Sequence, residues 1–169
     1  MILILMFHRV SDDDPNTWEH CKQWITEVAK RYPIIAPGEA PKRGRNICLT
    51  FDDAYADFYH YVFPLLETLN IKATVGIPTD FILENTDIPM TRRLAIPTKT
   101  ALTPDAVQHA SLCTWAELKE MADTGLVQLA SHGHQHIGAA DPSFNPELEL
   151  IHSKNEIAKH TGHVPETYI

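Results

Sequence analysis

At 169 residues, with 44% hydrophobic and 21% charged residues, the chain has the length and balance of one soluble globular domain with a real core. A formal net charge of −8 argues against a nucleic-acid backbone as the main partner, because phosphate binding needs clustered Lys and Arg, and the one basic cluster, Lys42-Arg43-Gly44-Arg45, reads as a solvated turn. Cys21, Cys48 and Cys113 form an odd set without CxxC spacing, so no disulfide framework is expected and a reducing, cytoplasmic setting fits.

In chain order, Ile2–Phe7 is a continuous apolar run, too short to span a membrane and without a basic start or a small-residue cleavage site. It is expected to be a buried strand covered on both faces. Residues 16–32 place Trp18, Cys21, Ile25 and Val28 at helical spacing. Residues 47–51 form the second strand, with Cys48 inside it as a small hydrophobe. Residues 56–69 read as a helix with Phe58, Val62, Leu65, Leu66 and Leu69 on its apolar side, and Pro64 is expected to kink it or begin a new turn. Ala73–Ile77 is a third strand. Residues 79–113 fit no strong pattern and hold several prolines; they read either as a flap over a substrate groove or as an insertion. Thr114-Trp115-Ala116-Glu117 is a capping box opening a helix that ends near Gly125. Residues 126–130 are a fourth strand. Asn145-Pro146 then reads as an N-cap with Pro at the first helical position, and Gly162 closes that helix.

Strands alternating with helices indicate an α/β fold with a mostly parallel sheet, whose chemistry sits at the carboxyl ends of the strands. Asp52 and Asp53 follow the second strand, His132 follows the fourth and His8 follows the first, so three strand ends share one rim. His132 and His136 lie at i and i+4 and would share a face if the segment after Ser131 becomes helical, with His134 pointing elsewhere. A carboxylate and two imidazoles make a three-ligand site for a divalent metal, most simply zinc, with cobalt or nickel as alternatives. The other carboxylate is then free to act as a base on a water molecule. Against this stands the plainer reading of helix-capping aspartates and surface histidines. His20, His60, His109, His152, His160 and His163 follow no pattern and read as surface residues.

Thr50-Phe51-Asp52-Asp53, followed by Ala54-Tyr55-Ala56-Asp57, resembles the first motif of the polysaccharide deacetylases, the NodB-like carbohydrate esterase family 4. Ser131-His132-Gly133-His134-Gln135-His136 resembles the second, although Gly133 stands where the family has Ser or Thr, and Ala54 where it usually has Gly. Met6-Phe7-His8-Arg9-Val10 is similar to a first-strand segment of many members, and Ser153-Lys154 through Thr161-Gly162 to the helix after the second motif. The resemblance implies an incomplete deformed (β/α) barrel and N-deacetylation of an N-acetylated sugar in a cell-envelope or surface polysaccharide. It also implies Asp52 as catalytic base and Asp53, His132 and His136 as metal ligands. His8 is a rim residue for substrate contact or proton transfer, or else a strand-end histidine packed on a loop. The family's later motifs, an orienting Arg and a Leu-x-His strand, have no counterpart. Residues 1–169 are therefore expected to form one truncated domain that is weakly active and self-associates through an open sheet edge. A catalytically silent metal- or carbohydrate-binding module, and a metal-dependent amidase acting on another C–N substrate, remain alternatives.

Overall fold

The computed structural model describes residues 1–11, 17–103 and 107–169. Four parallel strands, β1 (Ile2–Phe7), β2 (Asn46–Phe51), β3 (Ala73–Ile77) and β4 (Val127–Ser131), pair in the order β1-β2-β3-β4. Ile2 lies opposite Asn46, Thr50 opposite Thr74 and Val75 opposite Leu129, which brings all four carboxyl ends to one rim. Thr167–Ile169 begins to add beside β4: Ser131 N–H donates to Thr167 O and Ile169 N–H to Ser131 O. The strands form an arc rather than a closed ring, an incomplete deformed (β/α) barrel.

Helices cover the outer face. α1 (Thr17–Arg31) buries Ile25 completely and packs Trp18, Cys21 and Val28 against the core, as its periodicity predicts; Asn16, the expected first residue of that helix, lies outside the described residues. After β2 the chain makes a π-helical segment, Phe58–Val62, before α2 (Phe63–Leu69), and the Phe63 N–H reaches back five residues to Phe58 O. Pro64 sits in the first turn of α2, where its missing N–H costs least, so the expected break is a widened turn. α3 (Met90–Leu94), α4 (Thr98–Ala101) and α5 (Trp115–Asp123) follow, the last opened by the predicted capping box, in which Thr114 Oγ1 accepts from Glu117 N and Glu117 Oε2 from Thr114 N. A second π-helical segment, Glu147–His152, runs into α6 (Ser153–Thr161); Asn145 Oδ1 accepts from the Glu147 and Leu148 N–H groups, and Gly162, at φ 79°, ends the helix. Phe51, Phe58, Leu66, Ile77, Leu118, Met121 and Ile157 fill the core between sheet and helices.

One expectation fails. β1 is not covered on both faces. Leu5 and Phe7 pack inward, Phe7 stacking on Phe51 and meeting Trp24 of α1 edge to face, but Ile4 and Met6 are 66% and 63% exposed and Ile2 is also open. The reason is position: β1 is an edge strand paired only with β2, and among the described residues nothing covers the face carrying its even-numbered side chains.

Residues 79–113, apart from the undescribed 104–106, are held by long-range polar contacts. Arg93 is buried and grips Glu117 through both carboxylate oxygens at 2.6 and 2.8 Å, while donating to Ala110 O and Leu112 O. Arg9 donates to Leu94 O and Ile96 O at the end of α3.

Candidate metal centre

The first motif leaves β2 with Asp52 still in the ladder, its N–H donating to Phe7 O at 2.9 Å. Asp53 and Ala54 then take left-handed backbone conformations, φ 70° and 52°, which turn the chain sharply and aim consecutive carboxylates in different directions. Residues 111–113 brace this turn, with Ala56 N–H on Ser111 O and Cys113 N–H on Ala54 O. Asp57 ties it to the end of β1: its buried Oδ2 accepts from Val10 N and Ser11 N, both at 2.7 Å, and from Ser11 Oγ.

The second motif leaves β4 with His132 N–H on Ile77 O. The next residues are not helical, against the expectation from i, i+4 spacing. Gly133 at φ 83° and His136 at φ 59° instead fold them into a tight loop. That loop still brings the two imidazoles together, Nε2 to Nε2 at 3.1 Å. Asp53 Oδ1 lies 3.4 Å from each Nε2. His134 turns away, as expected, to Thr79 Oγ1 at 2.8 Å and the His152 ring.

The three atoms lie close enough to one another to share one metal ion. Corners of a tetrahedron with bonds of about 2.0–2.1 Å stand about 3.3–3.4 Å apart, close to the triangle found here. Asp53 Oδ1 is buried and makes no hydrogen bond, a costly state that a cation would relieve. Ile169 O binds His132 Nδ1, which places the proton there and leaves Nε2 with its lone pair toward the shared point. One carboxylate and two imidazoles suit zinc, cobalt or nickel.

Charge follows burial. Burial alone would raise the Asp53 carboxyl, but the adjacent imidazoles of His132 and His136 outweigh it and hold Asp53 below its usual value. His132, which burial would lower, is raised by Asp53, Ile169 O and Asp52. Asp52 is pushed up, chiefly by burial, against the pull of His132 and His8, and its Oδ1 also lacks a hydrogen-bond partner. His8, half-exposed, places Nε2 3.9 Å from Asp52 Oδ2. The five residues singled out in the sequence therefore stand together at one rim. Of the remaining histidines, His160 is not a free surface group: it stacks on Trp115 at 4.7 Å and contacts Glu84 and Glu156.

The family model for polysaccharide deacetylases matches residues 39–169. The chain belongs to the polysaccharide deacetylase family. Among its relatives, a poly-β-1,6-N-acetyl-D-glucosamine N-deacetylase from Escherichia coli is 30% identical over 115 residues, 64% of this chain and 16% of that protein. The chain thus spans about a sixth of the length of the full-length relative. The deacetylase domain of BpsB from Bordetella bronchiseptica superposes with a TM-score of 0.66 at 29% identity, over 99% of this chain and 78% of that one. A polysaccharide deacetylase from Bacillus cereus shares the fold, with a TM-score of 0.71 at 20% identity over 97% of this chain and 48% of that one. For a polysaccharide deacetylase domain the incomplete barrel and the rim at the strand ends are the expected frame.

Missing from the sequence reading are the groups that hold this frame. Glu149 and Ser153, both fully buried, bind the histidine loop, and Ile169 O fixes a ring nitrogen. Their signal was present in part: residues 149, 153, 157 and 161 recur every four positions and form one buried stripe, two of whose members are Glu and Ser.

Proposed function

We propose that this chain carries a metal-dependent deacetylase site that hydrolyses the acetamide of an N-acetylated sugar within a cell-envelope or surface polysaccharide. The observation that carries the reading is the triangle of Asp53 Oδ1, His132 Nε2 and His136 Nε2, with an unpartnered buried oxygen on Asp53 and another on the adjacent Asp52. The name of the Escherichia coli relative supports a β-1,6-linked N-acetylglucosamine polymer as the substrate class.

Asp53, His132 and His136 would hold a divalent ion, zinc first and cobalt or nickel as alternatives, which supplies Lewis acidity for the acetamide carbonyl and an acidified water. Asp52 receives the proton that the attacking water loses as its oxygen bonds to the acetyl carbon. The burial that raises Asp52 also makes it a stronger base than an exposed aspartate. The carbon–nitrogen bond then breaks, acetate leaves and the amine nitrogen takes a proton. His8, open to solvent and beside Asp52, is placed to meet the sugar at the rim.

The test is acetate release from N-acetylglucosamine oligomers by the purified chain, after chelation and after return of Zn²⁺ or Co²⁺. Activity that disappears with chelation, returns with metal and is absent in Asp52→Asn supports the reading. Metal uptake without any acetate release would favour a binding module. Acetate release unaffected by chelation would refute the metal site, and turnover confined to non-sugar amides would refute the substrate class.

A further inference from the structure

Gly133 and Glu149 have no role in the chemistry above, yet they meet directly. Glu149 is a fully buried carboxylate with no ion-pair partner among the described residues. Removing a charge from water without a counter-charge is costly, so its oxygens must be satisfied otherwise. They are: Oε2 accepts from His134 N at 2.8 Å and from Gln135 N at 3.2 Å, and Oε1 accepts from Gln135 N at 3.1 Å. The charge is balanced by two consecutive N–H dipoles at the centre of the His132–His136 loop.

The same loop is held from its other side. Its carbonyls at Gly133 and His134 accept from Thr79 N and Asp80 N at the exit of β3, and Ser153 Oγ, one helical turn beyond Glu149, also donates to Gly133 O. Glu149 thus supplies the anchor for the N–H edge. It also explains the glycine. A Cβ at position 133 would fall on Glu149 Oε2, well inside contact distance, and the φ of +83° disfavours any side chain there. A Ser or Thr in place of Gly133 would need the carboxylate elsewhere.

We propose that Glu149 is a positioning residue for the metal centre: it fixes the left-handed turn at Gly133 and thereby sets the 3.1 Å separation of the His132 and His136 Nε2 atoms. Gly133 is its required counterpart, so the departure from the family's second motif and the buried glutamate form one unit. This rests on the metal reading of Asp53, His132 and His136.

Co²⁺ titration of the full chain, followed by the visible spectrum of the bound ion, tests it. Glu149→Ala is expected to weaken Co²⁺ binding by about 10–100-fold, the usual cost of losing a group that orients a ligand, and to change the spectrum. Glu149→Gln, which keeps one acceptor oxygen, restores part of that loss. Gly133→Ala weakens binding strongly in the parent chain and less once Glu149 is alanine, because the clash is then gone and only the strain of the left-handed backbone remains. Far-ultraviolet circular dichroism confirms that each variant is folded at the titration temperature. Amide hydrogen exchange at His134 and Gln135, accelerated in a folded Glu149→Gln, gives a readout independent of metal. Parent-like Co²⁺ affinity and spectrum in folded Glu149→Ala would overturn the proposal while leaving the metal site intact. A parent chain that binds no Co²⁺, or a His132→Ala that binds it as tightly, overturns both.

Discussion

Arg93→Met should be among the most damaging single substitutions away from the candidate metal centre. The guanidinium donates to Ala110 O at 2.8 Å, to Leu112 O at 2.9 Å and to both oxygens of Glu117. Met keeps the buried stem but no donor, so two carbonyls lose a partner and Glu117 retains only its cap on Thr114 N. Breaking a buried ion pair from one side costs about 3–5 kcal/mol, since the stranded charge remains. For a domain of this size each kcal/mol moves Tm by about 2–4 °C, giving a fall of about 6–20 °C. Arg93→Met with Glu117→Gln should lose less than the sum of the singles, because the second change removes the stranded charge while keeping a cap acceptor. Urea unfolding followed by tryptophan fluorescence, with calorimetry, measures both effects. A fall below about 3 °C, or strict additivity of the two changes, would refute the view that Arg93 holds residues 79–113 against α5.

Zn²⁺ or Co²⁺ at a hundred times its Kd should stabilise the chain by about 2.7 kcal/mol, a Tm rise of about 5–11 °C, in the parent and in Asp52→Ala but not in Asp53→Ala; equal loss in both aspartate variants would end the division of roles. The three thiols are pushed up by burial, Cys21 to about 11, so alkylation of the native chain at pH 8 should be slow against the unfolded chain, with about one part in a thousand of Cys21 as thiolate. In the folded state these thiols keep their protons above the pH at which the unfolded chain releases them, so stability should decline as pH rises from about 9 toward 11, and a rising stability over that range would contradict the burial. The open face of β1 should drive self-association, with Ile4→Lys and Met6→Glu shifting sedimentation toward monomer; a parent chain that is monomeric at high concentration would count against it.

What could be read from the sequence depended on whether the signal was local. β2, β3 and β4 are apolar runs between turn residues, and α5 carries its start signal within four residues, so their positions agree with the structure to within a residue or two. β1 has the same composition as its neighbours, but exposure depends on what pairs beside it, which its own residues do not encode. In the helix after Asn145, Leu150 and Ile151 look like core residues yet face solvent, while Glu149 and Ser153 are buried, because the loop they bind lies some fifteen to twenty residues upstream. That His132 and His136 come together was legible in their spacing, but for a different geometric reason than helical periodicity: a loop with left-handed residues at 133 and 136 closes the same distance.

The two π-helical segments, Phe58–Val62 and Glu147–His152, each follow one of the motifs that build the candidate metal centre. A widened turn takes up one residue more than a regular helix would need over the same span. Deleting a single residue within Phe58–Val62 would therefore restore a regular helix over the same span with little change of phase. Deleting one residue from a regular helix such as α1 would instead rotate one end by about 100° against the packed face of the other. The chain is consequently more tolerant of single-residue deletion at these two turns than within its regular helices, and an alignment gap placed there would carry structural meaning.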